Sequence, residues 1–222
     1  MKKKVKNLIN KALGLNKDTQ PHFSKVKETN IVQRNYNSYD DYLAHQSSKL
    51  NLRYDEIRKY DEIYENVVYE RYLNSFDLKG KSILCLAARL GGEVRAFKRM
   101  GALAIGVDIE PGPKNTDVHY GDFHKIPYPN DIFDFAFCNA IDHVLKLELF
   151  FKEVRRVLKP GGVLIAELGI ENPSMYEVID TSDHKPLLDL AKKYFHVSKH
   201  SEVHNRIVFV NWKGIVYELK KS

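Results

Sequence analysis

From Ser82 onward the chain alternates short apolar runs with amphipathic segments, and the alternation predicts a layered α/β sheet. Ser82 to Ala88 is continuously apolar, as in a strand buried on both faces, and it breaks at Arg89-Leu90-Gly91-Gly92, where glycine permits a sharp turn. The period then changes. Val94, Phe97 and Met100 share one helical face, and Gly101 stops the pattern. Leu103 to Val107 predicts a second strand that closes on Asp108. Right-handed crossovers place the first turn and Asp108 on one sheet edge, where open α/β sheets bind ligands and a carboxylate can accept both hydroxyls of a ribose.

The same rhythm continues downstream. Val118-His119-Tyr120 predicts a short third strand before Gly121-Asp122-Phe123-His124, and Phe133 to Cys138 a fourth before Asn139-Ala140-Ile141-Asp142-His143. A helix over Leu147 to Leu158 leads to Lys159-Pro160-Gly161-Gly162, which predicts a reversal directly into a fifth strand, Val163 to Leu168. Alternation without a sequence repeat indicates a doubly wound sheet rather than a solenoid. Ahead of it, Ser38-Tyr39-Asp40-Asp41 has the form of a capping box, with Leu43 and Leu50 continuing a helix. A second helix is expected over Tyr54 to Leu73. Both precede the first strand and are placed to cover the carboxyl edge as a lid.

Charge changes this picture only at the start. Of the net +6, residues 1 to 20 carry six lysines against Asp18, which leaves the rest of the chain nearly neutral and gives no basis for a nucleic-acid-binding face. Val5, Leu8, Ile9, Ala12 and Leu13 repeat at helical spacing among those lysines, so residues 1–17 read as a basic amphipathic segment that either lies peripherally on an anionic membrane surface, docks on a partner, or is a frayed basic tail. Residues 18–37 read as a linker. Cys85 and Cys138 fall in expected strands, so a reduced, cytoplasmic chain without a metal site or disulfide framework is expected.

Four ordered pieces, ILCLAARLGG, GVDIEPG, GDFHKIPYPNDIFDFAFCNAIDHV and FKEVRRVLKPGGVLIAE, resemble the class I S-adenosylmethionine-dependent methyltransferases of the small-molecule type (methyltransferase type 11-like). The resemblance covers roughly Lys81 to Leu168. It implies a Rossmann-like, doubly wound, mostly parallel sheet over 80–222 with an antiparallel C-terminal strand, and N-terminal lid helices over 38–75, the whole methyltransferase domain being 38–222. The last two strands would be Phe195 to Val203 and Arg206 to Leu219, around a turn at His204-Asn205.

The cofactor implied is S-adenosyl-L-methionine. Asp108 would hold its ribose, Ile109 would pack on the adenine, and Asp122 would accept from the adenine amino group with Phe123 beside it. Asn139 and Ala140 would line the methionine part, as would the turn residues Ala87, Ala88, Arg89 and Gly91. That turn departs from the usual pattern, because alternating glycines are replaced by Ala87 and Arg89, and only Gly91 remains. Alanine is a mild change if its φ stays negative, whereas arginine either pairs with the cofactor carboxylate or fills the pocket of a protein that does not methylate.

For an oxygen or nitrogen acceptor, His143 and Asp142 are the nearest general-base candidates, with His124 second, and His45, Gln46 and Lys49 weaker lid candidates for contacting cofactor or substrate. Acceptor specificity in such enzymes lies in the N-terminal helices and the segment after the fifth strand, here Gly169 to Lys185, whose Glu171, Asp180, Asp183 and His184 suit a small-molecule or glycan acceptor. Two rivals remain. A dehydrogenase would need the GxGxxG turn that is absent, and a non-catalytic binding module is favoured by the degenerate turn but opposed by Asp108, Asp122 and Asn139.

Overall fold

The computed structural model describes residues 22–222 apart from 171, 172, 174, 208 and 209. The basic segment expected over 1–17, and Glu171, lie outside the described residues.

The core is a seven-stranded sheet of order β5-β4-β3-β6-β7-β9-β8. Its strands are β3 (Ser82–Leu86), β4 (Leu103–Asp108), β5 (Val118–Tyr120), β6 (Phe133–Cys138), β7 (Leu158–Gly169), β8 (His196–Ile207) and β9 (Val210–Lys220). β3, β4, β5, β6 and β7 pair in parallel, while β9 runs antiparallel to both β7 and β8. β3 lies inside the sheet, between β4 and β6, and shows why its run reads as continuously apolar. Leu84 and Leu86 belong to the core on one face, Ile83 and Cys85 to the core on the other, and all four are fully buried.

Two short strands, β1 (Phe23–Lys25) and β2 (Val32–Arg34), form an antiparallel hairpin in the stretch expected to be a linker. Its apolar Ile31 is buried, and the Arg34 guanidinium donates to the carbonyls of Glu177 (3.0 Å) and Met175 (2.9 Å), which docks the hairpin on the segment after β7. A three-residue strand is too short for period-two alternation to register in sequence.

The two expected N-terminal helices are one kinked element, α1 (Tyr39–Tyr72), capped by the Ser38 hydroxyl accepting from the Asp41 amide at 3.0 Å and broken at Arg53 (φ −137°, ψ 28°). The part before the kink lines the cleft at the carboxyl edge through Tyr42, Gln46, Lys49 and Leu50. The part beyond it lays Tyr64, Val68 and Tyr72 on the core beneath α2 (Gly92–Arg99), so it is a packed layer and not a lid. α3 (Leu147–Val157) and α4 (Lys185–Ala191) contribute to the core on the opposite face, through Phe150, Phe151, Leu187 and Leu190.

Two turns differ from expectation. Lys159-Pro160-Gly161-Gly162 is a bulge inside β7: Leu158 pairs with Phe133, and the next partners are Val163 and Phe135. Gly161 adopts φ +76°, and a Cβ on Gly162 would lie 2.9 Å from the Lys159 carbonyl oxygen, so glycine is required there. The reversal placed at His204-Asn205 falls instead between Ile207 and Val210, because β8 and β9 stay paired through Ile207.

Candidate active site

At the carboxyl edge of β3, the backbone keeps the shape that glycines would give without the glycines. Ala87 (φ 57°), Arg89 (φ 42°) and Gly91 (φ 87°) alternate in the left-handed region. The condition under which alanine is a mild change, a negative φ, is therefore not met at Ala87, and each of the two non-glycine residues carries a strain of about 1–2 kcal/mol. Hydrogen bonds hold the turn against it. The Ala88 amide donates to the Val107 carbonyl (3.2 Å), Gly91 to Ala88 (2.7 Å), and the Asn115 amide group to Arg89 O (3.1 Å).

The strained turn also delivers the Arg89 amide to Asp108 Oδ2 at 2.8 Å, while the Glu110 amide donates to Oδ1 at 2.7 Å. Burial pushes the Asp108 carboxyl up, and those two backbone donors oppose the shift. Each carboxylate oxygen keeps a further acceptor position for a ligand hydroxyl. Beneath the turn, Glu93 in the first turn of α2 is buried, and burial raises its carboxyl to about 8.

The cleft above this edge is lined by Ala87, Arg89, Asp108, Ile109, Phe123, Ala140 and His143, together with Tyr42, Gln46, Lys49 and Leu50 from α1 and Glu110. Seven of the site residues expected from sequence thus meet in one place, as do Gln46 and Lys49. Its enclosed cavity is about 60 Å³. That is well below the roughly 300–1,000 Å³ of ordinary ligand clefts, so a nucleoside-sized ligand enters only if the first half of α1 or the Arg89 side chain moves.

Other expected residues serve the cleft from behind. Ala88 is buried under the turn, and Gly91 caps α2. Asp122 faces Tyr39 and His124: the Tyr39 hydroxyl donates to its Oδ2, and the His124 amide to its Oδ1 at 2.8 Å. Burial pulls the Asp122 carboxyl up, but the hydrogen bonds from His124 and Tyr39 prevail and hold it low. His124 Nδ1 lies 2.9 Å from Asp122 Oδ1, and its Nε2 accepts from the Lys146 amide at 3.1 Å. Both ring nitrogens of this buried histidine are therefore engaged, which leaves no lone pair for general-base work. Asn139 donates to the Tyr64 hydroxyl (2.7 Å), which donates to the buried Glu167 (2.9 Å), whose other oxygen accepts from Tyr72 (2.7 Å) and Arg71.

The opposite end of the cleft is charged. A 3₁₀ turn, Ile141–His143, follows β6 and places Asp142, His143 and Glu177 so that one ligating atom of each lies within 4.8 Å of the others. Burial, and then the Glu177 carboxylate, push the Asp142 carboxyl up to about 7 against the pull of Lys49. Burial, and then Arg89, bring the Lys49 ammonium down to about 8. Burial, followed by Lys49 and Arg89, drives His143 well below its usual value, so its imidazole is neutral at pH 7. Glu177 and Tyr176 escaped the sequence reading because they sit on an irregular segment whose approach depends on the β1–β2 hairpin.

The donors present fit adenosylmethionine. Asp108 has accepting capacity for a diol, and the Arg89 and Lys49 cations face the same cleft with no carboxylate bonded to either among the described residues, as a carboxylate-bearing ligand requires.

Comparison with known proteins agrees. Residues 84–166 match the family described as "Methyltransferase domain". A sterol 24-C-methyltransferase of Gibberella zeae is 29% identical over 144 residues, 56% of this chain and 37% of the relative. A sterol methyltransferase-like protein of Botryococcus braunii is 44% identical over 111 residues, 43% of this chain and 28% of the relative. The chain thus spans well under half the length of these curated relatives. Among solved structures, the Burkholderia thailandensis 1,6-didemethyltoxoflavin-N1-methyltransferase, with 1,6-didemethyltoxoflavin and S-adenosylhomocysteine bound, superposes with a TM-score of 0.68 at 14% identity, covering 92% of this chain and all of that one. The β5-β4-β3-β6-β7-β9-β8 sheet thus has the fold of that solved methyltransferase, and within it residues 84–166 match a methyltransferase domain.

Proposed function

We propose that the protein transfers a methyl group from S-adenosylmethionine to an oxygen or nitrogen of a small, polar acceptor. The observation that carries the reading is the pairing, in one cleft, of the Asp108 carboxylate with the neutral His143 imidazole at the opposite end. Bound adenosylmethionine supplies an electrophilic methyl on a sulfonium. Asp108 would hold the ribose hydroxyls, Ile109 and Phe123 would flank the base, and Arg89 would pair with the amino-acid carboxylate. His143 would take the proton of the acceptor O–H or N–H and become an imidazolium as the methyl carbon exchanges its bond to sulfur for one to the acceptor, the bonding pair staying on the sulfur of the departing thioether. General-base help of this kind contributes roughly 10²- to 10⁴-fold, and alignment in a water-poor pocket adds to it.

Lys49, Gln46, His143, Asp142 and Glu177 make the acceptor end polar and charged, which favours a hydroxylated molecule over a hydrocarbon. A glycan is the larger member of that class. The cramped cavity supports a second reading, a non-catalytic binding module in which Arg89 acts as a plug.

Methyl-labelled adenosylmethionine, offered to the purified chain with a panel of hydroxylated small molecules, sugars and a sterol, distinguishes these. Label transfer to a polar acceptor that is lost in His143→Ala supports the proposal. Transfer to the sterol alone, undiminished in His143→Ala, overturns the acceptor assignment, and cofactor binding without transfer to any compound favours the module.

A further inference from the structure

We propose that Gln46 is a positioning residue: its side chain fixes the His143 imidazole as the Nδ1–H tautomer and so makes Nε2 the atom that takes the acceptor's proton. This rests on the reading of His143 as the general base, but its structural content stands independently.

The two atoms within reach of His143 Nδ1 are both oxygens, Gln46 Oε1 at 2.9 Å and the Tyr176 carbonyl at 3.1 Å. Oxygen acceptors on this side require the proton on Nδ1. The orientation of the Gln46 amide is set by a separate contact, since its Nε2 donates to the same Tyr176 carbonyl at 2.9 Å. Turning the amide over would bring its oxygen against that carbonyl and its NH₂ against Nδ1. That costs the hydrogen bond to Tyr176 and sets two oxygens in contact. One arrangement satisfies all three groups, and it leaves the Nε2 lone pair unprotonated.

On the Nε2 side, the Asp142 carboxylate approaches to 4.0 Å, outside hydrogen-bond distance, and His143 lines the cleft. Charged and titratable groups surround the ring from every packed element: Lys49 and His45 from α1, Arg89 from the turn after β3, Asp142 beside it, and Glu177 from the segment before α4. Lys49 and Arg89 disfavour a second proton on the ring, which keeps the resting imidazole neutral with its Nε2 lone pair bare. The backbone is held as well, because the Tyr42 hydroxyl donates to the His143 carbonyl at 3.2 Å. Gln46 and His143 lie 97 residues apart, and Gln46 belongs to the half of α1 before the kink. The base is therefore assembled only when that half-helix and Tyr176 are both docked over the edge. A covering element that supplies the orienting contact ties proton abstraction to closure.

Nitrogen-15 spectra of the full chain, labelled at histidine and recorded without cofactor at pH 7.5, read the tautomer directly. The His143 signal is assigned by its loss in His143→Gln. In the wild type, the proton is expected on Nδ1 with Nε2 bare. Gln46→Leu is expected to mix in the Nε2–H tautomer. Gln46→Glu is expected to preserve Nδ1–H and raise the imidazole pKa by about one unit, because a carboxylate then faces the N–H. A wild-type spectrum with the proton on Nε2 overturns the proposal, and so does an unchanged tautomer in folded Gln46→Leu. The wild-type spectrum decides even if that variant fails to fold. A correct tautomer in a chain that transfers no methyl group to any acceptor would leave the clamp standing and refute the enzymatic reading, so the two failures are distinguishable.

Discussion

The two ends of the cleft are built by different means. At the Asp108 end, the working parts come from one stretch of about twenty-five residues, and they are held by main-chain hydrogen bonds: Arg89 and Glu110 amides to Asp108, Ala88 to Val107, Gly91 to Ala88. At the His143 end, the parts arrive from α1, the 3₁₀ turn and the segment around Tyr176, and side-chain contacts hold them among buried charges. Main-chain geometry tolerates a change of side chain, which is how the turn keeps left-handed φ at Ala87 and Arg89. Side-chain networks do not tolerate such change, since removing one partner leaves a buried polar group unsatisfied.

The sharpest way to break this contrast is to uncouple binding from chemistry. Asp108→Ala is expected to weaken S-adenosylhomocysteine binding by roughly 10- to 100-fold, the loss of one or two hydrogen bonds to a charged group, while His143→Ala leaves that affinity nearly unchanged and lowers methyl transfer by at least about 100-fold. Calorimetry with the product and label transfer measure the two effects separately. Equal losses of affinity in both variants would mean the ends are not distinct.

The next effect concerns the buried acid beneath the turn. Glu93 has a folded pKa of about 8 against 4.5 unfolded, so the folded state binds more protons between those values. Its contribution is full below pH 4.5 and is lost as pH rises through 8, at up to about 1.4 kcal/mol per pH unit. Glu93→Gln removes that slope. Denaturant unfolding at pH 5 and 7.5 should show the variant gaining about 3 kcal/mol on the wild type across the interval. A parallel pH dependence in the two proteins would mean that Glu93 is ionised in the fold.

Smaller effects test the turn itself. Arg89→Ala should weaken the product complex by about tenfold, the worth of one charge-assisted pair, and unchanged affinity would remove Arg89 from cofactor binding. Ala87→Gly should stabilise the fold by about 0.5–1 kcal/mol, because relief of left-handed strain exceeds the entropic cost of glycine. Loss of stability in chemical denaturation would mean the alanine methyl contributes packing that outweighs its strain.

The same contrast governs how much was legible in the sequence. The sheet and the Asp108 end of the cleft were readable because the signals are local: a buried run, a turn, a helix face, then Asp108 at a strand end. The antiparallel β9 followed from the resemblance. What escaped was long-range. Nothing in residues 18–37 announces a hairpin, yet Arg34 bonds the Met175 and Glu177 carbonyls and so helps place Tyr176 and Glu177. Nothing near Asp122 shows that Tyr39, 83 residues away, would occupy it. His124 stood second to His143 as a base candidate, and its contacts to Asp122 and the Lys146 amide take it out of that role. Local pattern located the cleft, and partners distant in sequence decided which of its residues are free to react.

On the proposed function, this cleft, with its strained turn and small cavity, takes an adenosyl cofactor. The most direct test is thermal unfolding of the purified chain titrated with S-adenosylmethionine, S-adenosylhomocysteine and NAD. A ligand at a hundredfold its dissociation constant contributes about 2.7 kcal/mol, which for a domain of this size raises the midpoint by roughly 5–10 °C. That shift is expected with both adenosyl ligands and none with NAD. No shift with either adenosyl ligand at millimolar concentration would contradict the proposed function and leave Arg89 as the plug of a binding module.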